Sequence, residues 1–363
     1  MYVSEVARCY FAEKEKIAHN IRLLRSRVGE RRIYAVLKAN GYGLGSTALA
    51  AVCAENGLDC FAVSDLRQAR DVAQSVEKIR ELLLMSAPAP SQIPEFVRLG
   101  VTFTASSLEQ LQLLEPFGVK VHIKVDTGLG RRGFSWEEPD PIVSAYSAFP
   151  GLTFTGIYTH FIDGSDPKLT DLQMQRFGAV LSALEKASID PGIRHCCGST
   201  SVFGPEEHLL DGVRIGTALL GRVPGGEKKY GLQPTGFCRV PIESVRTIPK
   251  GTTVGYGAAF RAKKEMKLAL CPIGTHNGFG VMANSGRENL TALHIRLLRQ
   301  LRGGIIGSTI PGGYIGGKFC PAVGRIFTEA VLLDVTGLDC KPGDEVIFNI
   351  NPIMRHDMPV ELI

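Results

Sequence analysis

The chain has 363 residues, of which 44% are hydrophobic, with 41 Lys and Arg against 36 Asp and Glu. At about 150 residues per domain, this length predicts roughly two domains or one large α/β barrel that takes up most of the chain. The hydrophobic fraction is that of a globular protein and excludes a disordered or collagen-like chain. The net charge of +5 is mild and, without a clustered basic face, does not indicate a nucleic-acid partner.

The nine cysteines are irregularly spaced and include no C-x-x-C pair, so they predict neither a disulfide framework nor a metal site. The sequence starts without a signal-peptide pattern, and no apolar run approaches 18 residues. These features predict a reduced, cytoplasmic protein without a membrane or metal partner. The thiols are expected to be small core residues.

Short β-branched runs alternate with stretches of helical periodicity over the first two thirds of the chain. Eight runs are typical of strands, and they lie at 32–38, 60–63, 81–86, 101–106, 119–126, 152–161, 193–198 and 213–221. Eight β-α repeats predict a TIM-like (β/α)8 barrel over residues 9–230. Because barrel active sites lie in the loops that follow the strands, polar residues at the strand ends are the first candidates.

After about residue 230 the pattern changes to short alternating runs with Gly and Pro turns, which predicts a β domain over 231–363. Residues 294–304 are the most helix-like or irregular interruption, and 303–318 reads as a glycine-rich loop. A strand-like segment at 3–11 predicts that residues 1–8 join this domain. The fold class is therefore α/β plus β.

The strongest local signal is AVLKANGYGLG, in which an apolar strand ends on Lys38 and a glycine-rich turn opens a helix. Buried among Val36, Leu37 and Ala39, the ammonium of Lys38 would lose hydration, and its pKa would fall as Schiff-base chemistry requires. The alternative is a strand-end lysine that reaches water.

This segment resembles the cofactor-lysine motif of the alanine racemase family, a group of fold-type III pyridoxal-phosphate enzymes. Four further segments resemble motifs of that family in the same order: KVDTGLGRRGF, IYTHF, DGVRIGTALLG and TVGYGAAF. The match runs from about residue 7 to 340, and five collinear motifs are far more specific than one. The resemblance implies a pyridoxal 5'-phosphate cofactor and racemisation or epimerisation of an amino acid.

By this resemblance, Lys38 binds the cofactor covalently, Tyr42 contacts its phosphate, and His160 and Arg214 tune the catalytic tyrosine and the cofactor ring. Because a guanidinium donates and keeps its proton, Arg214 should leave the pyridine nitrogen unprotonated and the ring a weaker electron sink. Further residues implied in phosphate binding are Ser199, Gly216 and Thr217. Taken alone, Ser199 could merely cap a helix.

The resemblance also implies the substrate side of the site. Arg131 pairs with the substrate carboxylate, and Lys124 matches a lysine that is carbamylated in many members and holds that arginine. A carbamate is physically reasonable because an unmodified Lys124 beside Arg131 would be a like-charge pair. Tyr256 matches the second acid/base, which in this family comes from the other subunit, so a homodimer is implied. Two groups on opposite faces, Lys38 and Tyr256, suit proton removal and return at Cα.

The sequence departs from the family at the substrate side. Residues 274–278 read G-T-H-N-G where G-Y-x-D-G is usual, so Thr275 replaces a gate tyrosine. Residues 327–330 read F-T-E-A where C-M-D-Q is usual, which puts Thr328 and Glu329 at the pocket positions. The usual R-V-P-R ending is missing, and the second gate tyrosine has no secure counterpart. These changes predict a substrate other or broader than alanine, larger or more polar.

Two alternatives stay open. A fold-type III decarboxylase has a similar architecture but uses a cysteine opposite the cofactor, where this chain offers Tyr256. A pyridoxal-phosphate-binding protein without turnover is the other, either as a regulatory relative or as a degenerate enzyme. The β domain with Tyr256 argues against the regulatory relatives, which consist of a single barrel.

Overall fold

The structure, a computed structural model, describes residues 8–281 and 311–363. Its contacts divide the described chain into two compact units. The barrel unit runs from Glu13 to Thr235, and the strand unit joins the residues up to Ala12 to Gly236–Ile363. The sequence predicts boundaries at 9 and 230. The units divide slightly later because the first strand, β1 (Cys9–Ala12), pairs with strands of the strand unit.

Between Glu13 and Thr235, all of which the structure describes, eight parallel strands close into a barrel. They are β2 (Arg32–Val36), β3 (Cys60–Val63), β4 (Glu81–Leu84), β5 (Thr102–Ala105), β6 (Lys120–Asp126), β8 (Thr153–Tyr158), β9 (Ile193–His195) and β10 (Gly212–Ile215). Each pairs with the next along the chain, and β10 pairs back with β2. The short strand β7 (Phe134–Ser135) pairs in parallel with the last two residues of β6. The predicted TIM-like barrel is confirmed.

Helices connect these strands, as expected for β-α repeats. They are α1 (Lys14–Val28), α2 (Lys38–Tyr42), α3 (Ser46–Glu55), α4 (Leu66–Ser75), α5 (Ile93–Arg98), α6 (Leu108–Leu114), α7 (Asp140–Ala148), α8 (Pro167–Lys186) and α9 (Gly226–Tyr230). Three begin on side-chain caps: Asp65 for α4, Ser107 for α6 and Asp166 for α8 accept backbone N–H groups of the first turn. Such caps satisfy amides that have no partner within the helix.

The barrel strands are buried almost throughout, and β3, β4, β5 and β10 have no exposed residue. Strands covered on both faces give continuous apolar runs, which explains why the sequence shows them without strict alternation. A few polar residues within these runs are buried as well, among them Glu81, His122, His195 and Arg214. Buried polar groups need hydrogen-bond partners, so these residues are expected to contact one another or the backbone inside the otherwise apolar barrel.

The strand unit is built from sheets, which confirms the predicted β domain. Its remaining strands are β11 (Phe237–Pro241), β12 (Ser244–Ile248), β13 (Thr253–Val254), β14 (Phe260–Arg261), β15 (Met266–Cys271), β16 (Gly312–Ile315), β17 (Lys318–Pro321), β18 (Val331–Asp334), β19 (Glu345–Phe348) and β20 (Val360–Leu362). Among the described residues, one sheet has the order β17-β16-β19-β11-β1-β20 and another β12-β15-β18, while β13 pairs with β14. Ile248, Met266 and Leu268 belong to the apolar core beside the smaller sheets.

Of the predicted glycine-rich loop, 303–318, the structure describes only residues 311–318. The end of the predicted glycine-rich loop is wrong, because β16 and β17 form a hairpin there. Its turn residues Gly316 and Gly317 both have positive φ, at 53° and 79°. Tight hairpin turns need this conformation, and glycine supplies it. The rest of that loop and the predicted helical segment 294–304 lie outside the described residues.

Among the described residues, no helix is long and apolar enough to cross a membrane. All nine cysteines lie in the described ranges and are free thiols. Eight of them are buried, as expected for small core residues, and Cys9 is half-buried.

Candidate active site

The barrel residues singled out by sequence meet at one end of the barrel. Lys38 follows β2, Arg131 follows β6, and His160 follows β8. Ser199 comes after β9, and Gly216 directly follows β10. In a parallel barrel, the carboxyl ends of all strands open at the same mouth, so these side chains share one rim.

The segment after Lys38 has an unusual backbone. Residues 39–42 all have positive φ, between 52° and 61°, although only one of them is glycine. The turn is held by the side chain of Asn40, whose Oδ1 accepts the N–H of Ser46 at 3.2 Å, and by the N–H of Gly41, which donates to the carbonyl of Leu37 at 2.9 Å. Left-handed non-glycine residues cost free energy and are typical of functional sites.

Lys38 differs from the expectation in one respect. Val36 and Leu37 are buried, but the side chain of Lys38 is exposed at the barrel mouth, and so is Ala39. Partial loss of hydration nevertheless lowers the pKa of Lys38, and the positive charge of Arg131 lowers it further. The Nζ atom lies 5.8 Å from the ring centroid of Tyr42. The amine is therefore accessible and more easily deprotonated than an ordinary lysine.

A cradle forms where β10 ends. The Ser199 hydroxyl accepts the N–H groups of Gly216 at 2.9 Å and Ala218 at 3.2 Å, so it caps this turn and not a helix of its own segment. The Tyr42 hydroxyl lies directly over Gly216, and a Cβ at position 216 would overlap it. The N–H of Thr217 makes no hydrogen bond within the described residues. Clustered amides and hydroxyls of this kind suit a phosphate.

Arg214 is buried on β10 and held on two sides. Nη1 lies 2.7 Å from Nδ1 of His195 and donates to that residue's carbonyl at 3.2 Å. Nη2 donates to the carbonyls of Thr159 at 2.7 Å and Cys196 at 3.2 Å, and lies 3.1 Å from Nδ1 of His160. Nε makes no hydrogen bond within the described chain. One donor of an otherwise fixed guanidinium is thus left for a ligand.

His160 is a neutral imidazole. Burial, and then the positive charge of Arg214, lower the pKa of His160 to about 3. Because Arg214 offers only donors, Nδ1 of His160 must accept and the proton resides on Nε2.

The loops after β6 and β8 are tied together beside His160. The hydroxyls of Thr127 and Thr159 are 2.8 Å apart. The amide of Gln173, on α8, donates to Thr127 Oγ1 at 2.9 Å and to the carbonyl of His160 at 3.2 Å. All three polar side chains are buried. This network fixes the backbone on which His160 is mounted.

Arg131 is exposed in the loop after β6, and Asp126 organises that loop. The Asp126 carboxylate accepts N–H groups from Gly128 at 2.9 Å, Gly130 at 3.1 Å and Arg131 at 3.0 Å. Burial alone would raise the pKa of Asp126, but these backbone hydrogen bonds bring it below its usual range. The loop that carries Arg131 is therefore anchored through its backbone, and its guanidinium stays available.

Lys124 lies buried on β6, two residues before Asp126, which anchors the loop that carries Arg131. Burial, followed by the charges of Arg131 and Arg132, lowers the pKa of Lys124 to about 8. Within the described residues, its ammonium has no hydrogen-bond or ion-pair partner. An unpaired amine this deeply buried is unusual and is easily deprotonated.

Sequence analysis did not single out His195, although its imidazole contacts Arg214. It is fully buried, and its ring stacks on Tyr34 and Tyr158, with centroids 5.2 Å and 4.8 Å away. Tyr158 also contacts Arg214: the Cζ atom of the guanidinium lies 4.6 Å from the centroid of the tyrosine ring. The sequence signal that could have identified His195 is a polar residue at the end of a short strand, shortly before the loop that carries Ser199.

The strand unit carries the other predicted residues. Tyr256 is 70% exposed, and its ring meets Phe327 edge to face at 5.4 Å. The N–H of Thr275 donates to the carbonyl of Phe327 at 3.0 Å, and that of His276 to the carbonyl of Thr328 at 2.9 Å. Both substituted segments, 274–278 and 327–330, thus lie side by side, together with Tyr256. Glu329 is exposed at the end of the second segment.

Two family models match the chain. The model for the N-terminal domain of alanine racemase matches residues 13–224, and the one for its C-terminal domain matches residues 238–359. The alanine racemase of Desulforamulus reducens is 32% identical over 347 residues, which are 92% of this chain and 87% of the relative. Alanine racemase 2 of Caldanaerobacter subterraneus subsp. tengcongensis is 29% identical over 346 residues, 92% and 83% of the two chains.

Solved structures agree in fold. Alanine racemase from a D-cycloserine-producing Streptomyces lavendulae has a TM-score of 0.82 at 23% identity, covering 99% of this chain and 98% of that one. The enzyme from Bartonella henselae, solved with covalently bound pyridoxal phosphate, has a TM-score of 0.81 at 21% identity, covering 98% and 99%. At these identities the likeness concerns the fold alone.

A (β/α)8 barrel with a reactive lysine at its mouth, continued by a strand domain, defines a class of pyridoxal-phosphate enzymes. Both family models together span most of the described residues. The chain belongs to the alanine racemase family. As a member, it is a pyridoxal-phosphate-dependent racemase, an isomerase.

Proposed function

We propose that this protein racemises an amino acid with two bases, Lys38 of one subunit and Tyr256 of its partner, which act on opposite faces of Cα. The proposal rests on the barrel mouth. An accessible lysine of lowered pKa lies there, together with the cradle of amides and hydroxyls suited to phosphate and a fixed arginine with one free donor.

The residues present fit pyridoxal phosphate. The hydroxyl of Tyr42, the amide of Thr217 and the turn at Gly216 would hold the phosphate, and Ser199 orients that turn. When bound, the pyridine ring supplies an electron-withdrawing group that makes the substrate Cα–H more acidic. Burial raises the pKa of Tyr42, so its hydroxyl stays a donor at neutral pH.

Arg214 would face the ring nitrogen with Nε. Burial lowers the pKa of Arg214, but a guanidinium keeps its proton at working pH, and the donors on its two Nη atoms meet three carbonyl oxygens. Arg214 would therefore donate to the ring nitrogen and leave it unprotonated. A less electron-poor ring favours return of the proton to Cα over slower side reactions.

Lys38 and Tyr256 would move the protons. The lowered pKa of Lys38 makes the neutral amine, the form that accepts a proton, easier to reach. Tyr256 supports the homodimer because a 70% exposed aromatic side chain on the strand unit is available to a second subunit. Arg131, anchored through its backbone by Asp126, would bind the substrate carboxylate.

Mixing inactive variants tests the shared site. Lys38→Ala and Tyr256→Phe should each be inactive as homodimers. If Tyr256 completes the partner's site, each mixed dimer contains one intact site, so an equimolar mixture should regain about one quarter of wild-type activity. Absence of any recovery, despite exchange of subunits shown by tagged chains, would refute the shared site.

Lys124 is proposed to carry a carbamate that orients Arg131. The uncharged amine adds to the carbon of CO2, and one proton leaves, so a positive group becomes negative. Its depressed pKa, about 8, supports this step because only the uncharged amine reacts. The product would replace repulsion of Arg131 by attraction.

The substrate is proposed to be larger or more polar than alanine. Thr275 and Thr328 replace bulkier family residues on segments that lie beside Tyr256, which leaves more room there. Glu329 extends one methylene beyond the usual aspartate. A panel of amino acids, followed by chiral separation of the products, tests this. Thr275→Tyr should shift preference toward alanine, and a wide preference of the wild type for alanine would refute the proposal.

Racemisation has two alternatives, a binding protein without turnover and a decarboxylase, and two assays distinguish them. Deuterium exchange at Cα in heavy water reports proton removal, and carbon dioxide release reports decarboxylation. Exchange with inversion supports racemisation. Cofactor absorbance without exchange for any amino acid would show a binding protein instead.

A further inference from the structure

A line of buried polar side chains leads through the barrel from Arg214 toward its opposite end. Nη1 of Arg214 lies 2.7 Å from Nδ1 of His195. Nε2 of His195 lies 3.0 Å from Nδ1 of His122, and Nε2 of His122 lies 3.0 Å from Oε1 of Glu81. Both histidines are fully buried, and Glu81 is 9% exposed. This line is called the barrel relay below.

The direction of every bond in the barrel relay follows from its first member. A guanidinium has donors only, so Nδ1 of His195 must accept. The single ring proton of His195 is then on Nε2, which donates to Nδ1 of His122. That acceptor forces the proton of His122 onto Nε2, which faces Oε1 of Glu81 at 3.0 Å. His195 cannot take a second proton without placing two donors face to face, and burial and the charge of Arg214 hold its pKa well below its usual value.

Glu81 is well suited to end the relay. Burial would raise the pKa of Glu81, but the contact with His122, the hydroxyl of Tyr34 and the charge of Arg32 lower it to about 2. The other carboxylate oxygen, Oε2, accepts from the hydroxyl of Tyr34 at 2.6 Å and pairs with Arg32 at 2.8 Å. An ionised acceptor therefore faces His122 across the working pH range.

Glu81 also borders a cavity of about 370 Å³ at the amino-terminal end of the barrel. Arg32, Arg80 and Lys120 line the same cavity. This end is opposite to the mouth that carries Lys38, so substitutions of Glu81 do not touch the cofactor site directly. Arg214 itself pairs with no carboxylate among the described residues, and Glu81 is the carboxylate at the far end of the barrel relay.

We propose that Glu81 is a positioning residue for Arg214. Acting through His122 and His195, whose Nε2–H tautomers follow from Arg214, it supplies the negative counter-charge that keeps the Arg214 guanidinium in place, with Nε aimed at the ligand. The effect on turnover rests on the proposed role of Arg214 toward the cofactor ring. The tautomers do not depend on that role.

The first experiment reads the tautomers without turnover. Nitrogen NMR of the cofactor-free protein with ¹⁵N-labelled histidine distinguishes protonated from unprotonated ring nitrogens. His122→Gln and His195→Gln assign the signals. Both residues are expected to show protonated Nε2 and unprotonated Nδ1 at neutral pH. A proton on Nδ1 of either one would overturn the relay, whatever reaction the protein catalyses.

The second experiment perturbs the end of the relay. Glu81→Leu removes the acceptor, and Glu81→Gln keeps an acceptor but removes the charge. Tyr34→Phe is the matched control, since it deletes the tyrosine hydrogen bond to Oε2 of Glu81 but leaves the contact of Oε1 with His122 and the ring stacked on His195. Glu81→Leu should alter the His122 and His195 signals, shift the absorbance of the bound cofactor and lower kcat about tenfold. KM for the amino acid should stay within about twofold, because Arg131 is untouched.

Glu81→Gln should retain the tautomers and fall between the wild type and Glu81→Leu in kcat. Tyr34→Phe should resemble the wild type in all of these readouts. The positioning role would be refuted if Glu81→Leu and Tyr34→Phe changed the signals and kcat equally, since that would indicate general packing of the barrel base. Normal tautomers with no racemisation of any amino acid would instead count against the proposed function alone.

Discussion

The hydroxyl of Tyr42 lies against the α-carbon of Gly216, so closely that any side chain at position 216 would collide with it. These residues follow different strands, β2 and β10, which are neighbours in the barrel. The approach brings a hydroxyl donor to the first turn after β10, where the amide of Thr217 is unpaired among the described residues. Glycine at 216 is therefore required by the packing, and its φ is not unusual.

Gly216→Ala is expected to weaken binding of pyridoxal phosphate by about tenfold or more. Overpacking of this kind costs about 1–3 kcal/mol, and here it displaces the Tyr42 hydroxyl from the phosphate cradle. Titration of the cofactor-free protein, followed by absorbance, measures the effect. Gly178→Ala on α8 is the control, because nothing lies within 4 Å of its added methyl. Equal affinity of both variants would contradict the assigned cradle.

The barrel strands could be predicted because each is a short, continuous apolar run, which both-sided burial produces. The predicted ends overshoot where a run continues into a functional loop. The prediction for 152–161, for example, extends past β8, which ends at Tyr158, to include His160. Periodicity cannot separate the last strand residue from a buried loop residue.

The candidate residues at the barrel mouth were accessible to sequence analysis because their motifs occur in family order, and their roles stay proposals. Glu81, His122 and His195 were not, since each is a single polar residue inside an apolar run, and only the closed barrel brings their side chains together. The end of the predicted glycine-rich loop is wrong for a similar reason: Gly316 and Gly317 belong to a hairpin turn that depends on partner strands. Long-range pairing is not encoded in local composition.

Removal of the Arg214 guanidinium should destabilise the cofactor-free protein. Arg214→Ala leaves Nδ1 of His195 and of His160 and several carbonyl oxygens without a donor in a buried site. We expect a loss of about 3–5 kcal/mol in the free energy of unfolding, measured by urea denaturation. Arg22→Ala, on the exposed face of α1, should change it by less than about 0.5 kcal/mol. A comparably small effect of both would mean that water replaces the guanidinium.

Lys124 should take up labelled carbon dioxide. With its pKa near 8, a sizeable fraction of the amine is uncharged at mildly alkaline pH, whereas an ordinary lysine is almost fully protonated there. In ¹³C-bicarbonate the protein should give a carbamate carbon signal that disappears in Lys124→Ala. Lys120→Ala, an exposed lysine on the same strand, should retain the signal. Persistence of the signal in Lys124→Ala would assign it to another amine.

Stability below neutral pH should depend on His160. Its pKa is lowered to about 3 in the folded chain but is about 6.5 in the unfolded one, so between these values the unfolded state binds more protons. Stability must then decrease as the pH falls through this window.

In His160→Gln one contribution to that slope is absent, so the free energy of unfolding of the cofactor-free protein should fall less steeply between about pH 6.5 and pH 4. Because loss of the Arg214 contact lowers the stability of His160→Gln at every pH, the slope and not the absolute value is decisive. A wild-type slope in that variant would mean that the folded chain admits a proton on His160, and that Arg214 does not hold Nδ1 as an acceptor.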